Sequence, residues 1–353
     1  MNTPKPLKAG DKVAIVSLSS GMLGEEYCSH NIEKGIKRLE QFSLKPVFMP
    51  NALKGVKYLH ERPEKRAEDL KSAFMDTSIK GIICSIGGDD TYRLLPYLME
   101  DEEFKKAVSN SPKLFTGFSD TTINHLMLYR LGLQTYYGPC FICDLGEIAD
   151  EMLPYTKRAF SGYFEDYRTW TITPSDIWYE ERKDFSAAAL GTNRVEHKEA
   201  HGYELLQGNP IFEGELLGGC LESIYDILTS TRYSDEGDIC KKYNIFPDKD
   251  IWKGKIMFLE TCEEKPAPET VFEELKAIEE TGAFDAVRGI IVGKPQDEKY
   301  YEEYKEIYRE LLGKHEISIL YNVNFGHAAP RAALPYGAMA RVNYDKQEIS
   351  FIK

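Results

Sequence analysis

A chain of 353 residues with 57 acidic and 44 basic side chains, net charge −13, repels phosphate backbones, so composition gives a nucleic-acid partner no support. At 42% hydrophobic and 29% charged residues, it reads as globular rather than disordered and is long enough for two ordinary domains, each with its own core. Its apolar runs are strand-sized, too short to span a bilayer, and seven scattered cysteines with no secretory apolar region behind Met1 fit a reducing cytoplasm.

In chain order, residues 12–20 read as a strand running into a polar turn with Gly21 and Gly24. Ile32, Ile36, Leu39 and Phe42 share one face of a helix over 31–42. A second strand covers 45–49. A helix over 62–75 tolerates Pro63 in its first turn and puts Ala67, Leu70 and Phe74 on one face. Residues 81–86 are almost continuously apolar, as in a strand buried on both faces, and run into Gly87-Gly88-Asp89-Asp90. A short helix over 91–99 follows. Then come a strand at 114–116, Ser119, an amphipathic helix over 121–131 and a strand at 135–137. This alternation predicts an open parallel sheet with helices on both faces and ligands gathered at the carboxyl ends of the strands. Gly87-Gly88 and Ser119 both fall at such ends.

The character changes after about residue 165. Residues 167–193 are rich in Trp, Thr, Asp and Glu without a clean period, and read as an irregular connection or flap, with Thr171, Thr173 and Ser175 permitting an edge strand. Strands are expected at 211–217, 255–260, 287–292 and 318–322, with helices at 221–228, 271–281 and 304–312. A turn-rich loop at 324–331 holds His327, and antiparallel strands at 338–343 and 348–352 close the chain. The expected organisation is therefore an N-terminal α/β domain over 1–165, a connecting flap over 166–202, and a C-terminal domain over 203–353 with a different mixture of strand and helix.

Ser119 carries the first candidate chemistry. A serine at a strand-to-helix turn lifts Oγ clear of the backbone, and the helix start points N–H groups at developing negative charge. The elbow pattern G-x-S-x-G lacks its second glycine here, since Thr121 follows Asp120, so a plain helix N-cap stays open as the alternative. Gly87-Gly88-Asp89-Asp90 offers either an oxyanion cradle or an ordinary tight turn; the aspartates and the absence of a phosphate-loop pattern disfavour phosphate. Glu260 ends an apolar strand and can orient an imidazole, or can simply open an acidic surface loop with Glu263 and Glu264. His327 has the least surface-like context of the seven histidines, between Gly326 and Pro330, and serves either as a base or as a structural histidine. The order Ser, acid, His is that of a hydrolase triad. Cys140 and Cys143 form a lone C-x-x-C without further zinc ligands and read as buried thiols; no metal or cofactor is expected. Trp170, Trp178 and Tyr179 either stack on a flat substrate group or pin the flap.

Together, SIGGDDTYRLLPYL (85–98), FTGFSD (115–120) with Gly138-Pro139, Gly218-Gly219-Cys220-Leu221, Phe258-Leu259-Glu260 and GHAAPRAALPYG (326–337) resemble the LD-carboxypeptidase family of serine peptidases. The resemblance runs from about residue 10 to the C-terminus. It implies a cytoplasmic homodimer with a flavodoxin-like N-terminal sheet and a barrel-like C-terminal domain, the triad being drawn from both. By motif, Ser119 is the nucleophile, Glu260 the acid and His327 the base, with oxyanion donors among the backbone N–H groups of Gly88, Asp89 and Asp120. One branch of the family trims terminal D-alanine from murein tetrapeptides. The other, which is similar to the microcin C self-immunity peptidase, cleaves aminoacyl groups from sulfamoyl-adenosine or related nucleotides. The stretch over 167–193 resembles the second branch, whose tryptophan stacks on the nucleobase; Trp178 is the candidate. A binding protein that kept the fold and lost turnover is the remaining alternative. Cys220 stands where the family often has asparagine.

Overall fold

A computed structural model describes residues 1–352. The chain forms two compact units, one of Met1–Asp166 with Arg182–Arg194, the other of Tyr167–Glu181 with the chain from Val195 onward.

In the first unit, strands β1 (Lys12–Val16), β2 (Lys45–Phe48), β3 (Ile79–Cys84), β4 (Leu114–Gly117) and β5 (Thr135–Tyr137) pair in parallel in the order β2-β1-β3-β4-β5. That order reverses direction between β1 and β3, where connections leave to opposite sides and open a crevice at the carboxyl ends. The near-continuous apolar run of β3 is buried at every position but Lys80. Helices α1 (Ser29–Gln41), α2 (Val56–Glu61), α3 (Pro63–Met75), α4 (Leu95–Met99), α5 (Glu102–Asn110), α6 (Thr121–Arg130) and α7 (Pro154–Ser161) complete the unit. Sequence periodicity does not mark α2, α5 or α7. In α5 only Phe104 and Val108 are buried, so its stripe is two residues wide, and its start is set by Asp101, whose carboxylate accepts the Phe104 N–H at 2.9 Å.

The amphipathic reading of 121–131 is corrected: every residue of α6 from Thr121 to Leu128 is buried. Its polar side chains find partners inside. Thr122 Oγ1 donates to the Ser119 carbonyl (2.7 Å), and the His125 ring bonds Thr135 Oγ1 (2.7 Å) and the Gly117 carbonyl (3.0 Å). A polar residue in a helix is therefore no guide to exposure when neighbouring strands offer partners.

The loops that follow β1, β3 and β4 are tied together. Ser19 Oγ donates to Asp120 Oδ2 (2.6 Å), the same oxygen accepts the Thr91 N–H (2.9 Å), and the Ser20 N–H donates to the Gly87 carbonyl (3.0 Å). Arg66 of α3, wholly buried, grips both carboxylate oxygens of Asp90 and donates to the carbonyls of Leu18 and Ser19 at 3.1 Å.

The second unit contains β6 (Thr171–Ile172), β7 (Ile177–Tyr179), β8 (Glu196–Lys198), β9 (Glu204–Gln207), β10 (Ile211–Cys220), β11 (Ile256–Glu260), β12 (Gly289–Gly293), β13 (Ser318–Val323), β14 (Leu334–Tyr336), β15 (Met339–Asn343) and β16 (Glu348–Phe351). Eight of them form one mixed sheet in the order β6-β16-β15-β10-β11-β12-β13-β9. Its centre, β10 to β13, is parallel, joined through α8 (Leu221–Thr229), α11 (Pro268–Glu280) and α12 (Tyr301–Leu312), with the short α9 (Glu236–Lys242) and α10 (Lys249–Trp252) between. The flanks are antiparallel. Residues 211–215 of β10 pair with β15 and residues 216–220 pair with β11. This change of partner along one long strand curls the sheet into its barrel-like form. The permitted edge strand at 171–175 is present as β6, paired with β16.

The stretch over 167–193 is ordered in three places. β6 joins the sheet edge, and β7 pairs with β8 as a ribbon. Residues 182–194 belong to the first unit, where the buried carboxylate of Glu147 accepts from Arg182 Nε (2.8 Å) and Arg194 Nε (2.6 Å).

Replacing Arg66 by methionine leaves Asp90 buried without its main partner, a change that costs about 3–5 kcal/mol in comparable buried pairs. Urea unfolding of R66M is expected to show a loss of that order, and a loss below about 1 kcal/mol would show that the loops hold without the pair.

Candidate active site

Ser119 stands between the end of β4 and the start of α6, with φ 67° in the left-handed region. A non-glycine residue held there costs of order 1–3 kcal/mol and persists where the surroundings impose it. They do so here. The Ser119 N–H donates to the Tyr137 hydroxyl (3.0 Å), and its carbonyl accepts both the N–H (2.8 Å) and the hydroxyl (2.7 Å) of Thr122. The side chain reaches toward the loop after β3. A Cβ on Gly87 would stand 2.6 Å from Ser119 Cβ and 2.7 Å from its Oγ, so only glycine fits. The plain N-cap alternative does not describe this turn. Asp120 occupies the cap position without capping the helix, its carboxylate being taken by Ser19 and Thr91. Burial pushes the Asp120 carboxyl up to about 6, with Asp90 and Asp89 adding to the rise against the hydrogen bonds from Ser19 and Thr91. Gly88 and Asp89 lie in the loop after β3, as the strand-end argument expects.

Glu260 is the last residue of β11, and only 1% of it is exposed. Its Oε2 accepts the backbone N–H of His327 at 3.0 Å and faces His327 Nδ1 at 2.8 Å. A carboxylate only accepts, so Nδ1 carries a proton and Nε2 is the ring nitrogen left to meet other groups. The local sequence makes this approach possible. Gly326 has φ 79°, and a Cβ there would fall 2.3 Å from the Glu260 carboxyl carbon. Arg331, itself buried, braces the loop by donating to the carbonyls of Gly326 (2.7 Å) and His327 (2.9 Å). The surface-loop reading of Glu260 is thus replaced by a buried carboxylate engaged by a histidine.

The other ring nitrogen of His327 has a partner too, Glu263 Oε2 at 3.0 Å. Burial lowers the His327 pKa, but Glu260 and then Glu263 outweigh it and raise the group to about 10. The hydrogen bond from His327 in turn holds Glu263 down at about 2. His125, not His327, is the most enclosed histidine. It is wholly buried and its pKa is lowered to about 4 by desolvation, because it sits on the buried helix α6. Context along the chain does not register that.

Behind Glu260 lies a second set of ionisable groups. Cys220 Sγ donates to Glu222 Oε2 (3.0 Å), and Glu222 Oε1 accepts the Cys262 N–H (2.9 Å). Burial raises the pKa of Cys220 well above its ordinary value and lifts Glu222 as well. Cys220, Glu260 and His327 offer ligand atoms within 4.8 Å of one another, but Glu260 Oε2 and His327 Nδ1 are already joined by their own hydrogen bond, so the trio reads as a proton-holding cluster. Cys140 is buried and its N–H is bonded by Asp144. Trp178 is 8% exposed in β7, its indole stacked on His197 at 4.2 Å between centroids, with Lys294 Nζ 5.3 Å from the ring.

Sequence reasoning missed Ser19, Arg66 and Tyr137, which set the geometry around Ser119, and saw Glu263 only as part of an acidic loop. The polar turn Ser17-Leu18-Ser19-Ser20 directly after an apolar strand was the available signal for Ser19.

Comparison with known proteins gives this arrangement its context. Residues 13–138 match the family model described as the LD-carboxypeptidase N-terminal domain, and residues 213–342 match the LD-carboxypeptidase C-terminal domain. The chain belongs to the LD-carboxypeptidase family. It is a serine peptidase of that family and falls with its microcin-immunity-like members. It is similar to an MccF-like protein from Streptococcus pneumoniae solved in complex with AMP, with 49% identity and TM-score 0.94 over 97% of this chain and 98% of that one. It is 25% identical to the microcin C7 self-immunity protein MccF of Escherichia coli, over 98% of this chain and 94% of that protein. MccF in complex with aspartyl sulfamoyl adenosine shares the fold, with TM-score 0.80 at 22% identity over 99% of this chain and 98% of that one.

With Glu260 fixing the Nδ1 proton, E260Q offers an amide in place of the acceptor and favours the wrong tautomer of His327. Loss of about 10³- to 10⁴-fold in kcat is expected, by analogy with the acid of known serine-hydrolase triads. Steady-state kinetics beside a thermal melt measure this, and an E260Q enzyme within about tenfold of wild type would remove Glu260 from the mechanism.

Proposed function

We propose that this protein is a serine hydrolase that cuts the amide joining an aminoacyl or peptidyl group to a nucleotide-like leaving group, through an acyl-enzyme on Ser119. The observation that carries the reading is the buried carboxylate–imidazole pair, which leaves only Nε2 of His327 for proton transfer, in a chain whose other strand-end loop holds a serine in a strained turn. The nucleotide side rests on the 49% identical relative solved with AMP.

Ser119 Oγ attacks the carbonyl and gives its proton to His327 Nε2. Backbone N–H groups of Asp120 and of Gly88 or Asp89 hold the oxyanion. His327 then returns the proton to the leaving nitrogen, and water, activated by the same nitrogen, clears the acyl group. The base of the leaving nucleotide packs against the Trp178 indole, which is already a stacking partner for His197. No metal has a part in these steps. The enzyme works in the cytoplasm as a homodimer, without a nucleic-acid or membrane partner; among the described residues no helix is long and apolar enough to cross a membrane.

The test is a paired hydrolysis assay read by mass spectrometry. One substrate is an aminoacyl-sulfamoyl adenosine, the other a murein tetrapeptide ending in D-alanine, each with an S119A control. Release of amino acid and sulfamoyl adenosine by wild type, and none above background by S119A, is the expected result. Release of D-alanine alone would place the protein in the wall-trimming branch, and turnover by S119A would remove Ser119 as nucleophile.

A further inference from the structure

His327 stands between two carboxylates of different character. Glu260 holds Nδ1 from a fixed position, with its carboxylate buried, tied to the His327 N–H and enclosed by Gly326. Glu263 meets Nε2 at 3.0 Å from the loop between β11 and α11, and its side chain is 56% exposed. Nε2 is the atom that must be bare to accept the Ser119 proton. With both nitrogens facing carboxylates, the ring is held as an imidazolium, which is useless as a base until Glu263 leaves.

The other charged groups near the pair leave Glu263 on the ring. Lys265, two residues along the same loop, is held by Glu181 and Asp297, each at 2.8 Å. Arg331 is committed to the carbonyls of Gly326 and His327. Arg232 is paired with Asp226 at 3.3 Å, and its charge favours the Glu263 carboxylate in the same direction as His327 but more weakly. On the opposite side, Cys220 and Glu222 are bonded to each other beneath Glu260. An exposed carboxylate so placed needs a mobile cation to draw it away, and the substrate class proposed above brings one beside the scissile carbonyl.

We propose that Glu263 is a positioning residue that closes His327 in the free enzyme and is drawn off Nε2 by the α-ammonium group of the aminoacyl substrate, which it then binds. This rests on the aminoacyl-nucleotide reading. As the carboxylate moves to the ammonium, the Nε2 proton passes to solvent, and the neutral nitrogen becomes free to take the Ser119 proton. The substrate's charge thus arms the base, and a substrate whose α-amine is acylated leaves the enzyme closed.

The test compares glutamyl-sulfamoyl adenosine with its N-acetyl form on wild type and E263Q, following kcat/KM against pH. A charge-assisted hydrogen bond of ordinary strength predicts a wild-type preference of about 10- to 100-fold for the free amine. In E263Q the preference falls to near unity, and the N-acetyl compound is cleaved faster than by wild type at neutral pH. The acid limb of its kcat/KM profile moves to lower pH, because an imidazolium with one carboxylate fewer gives up its proton more readily. Equal cleavage of the two compounds by wild type, or an E263Q enzyme with the wild-type preference and pH profile, overturns the proposal and leaves the hydrolase reading standing. Cleavage of neither compound by wild type overturns both.

Discussion

A carboxylate buried at the end of a parallel strand is the constraint on which the catalytic reading depends. Glu260 sits where an ionised side chain survives only with partners. Two of them come from one residue: the backbone N–H and the ring Nδ1 of His327. That double engagement fixes the loop and the ring orientation at once. It also explains local sequence. Gly326 is needed because the carboxyl group fills the space of a Cβ, and Arg331 is needed because the loop that turns so tightly has carbonyls to satisfy.

The turn at Ser119 is built by different means. Here the strain is in the backbone, at Ser119, and it is opposed by hydrogen bonds that converge from three loops. Arg66 and Asp90 form the buried anchor of that network. The two residues to which the proposed mechanism gives these roles are thus held by opposite devices, a paired buried charge for His327 and an imposed turn for Ser119. Glu263 adds a third, an exposed charge that the proposed mechanism displaces.

Much of this was legible in the sequence because strands of a doubly wound sheet are written as short apolar runs. The strands at 81–86, 114–116 and 135–137 announce themselves, and the residues directly after them fall where ligands gather. A glutamate closing the run Ile256–Leu259 and a histidine between Gly326 and Pro330 were visible for similar reasons. What was hidden depends on contacts between residues far apart in sequence. The burial of α6 follows from His125 finding Thr135 and Gly117, which no periodicity records. The parallel centre of the second unit was obscured by its antiparallel flanks. The joint grip of Glu260 and Glu263 on one imidazole was hidden because an acidic loop looks the same on the page whether it faces water or a base.

The most direct test of the central claim is to map the residue modified by a fluorophosphonate, which needs a serine whose proton a neighbouring base can remove. Peptide mass spectrometry should find a single adduct on Ser119 in E263Q, where no carboxylate closes Nε2, and adding H327A should slow that labelling at least about tenfold, since general-base assistance typically contributes more than that. An adduct elsewhere, or Ser119 labelled as fast in E263Q/H327A as in E263Q, would contradict the account.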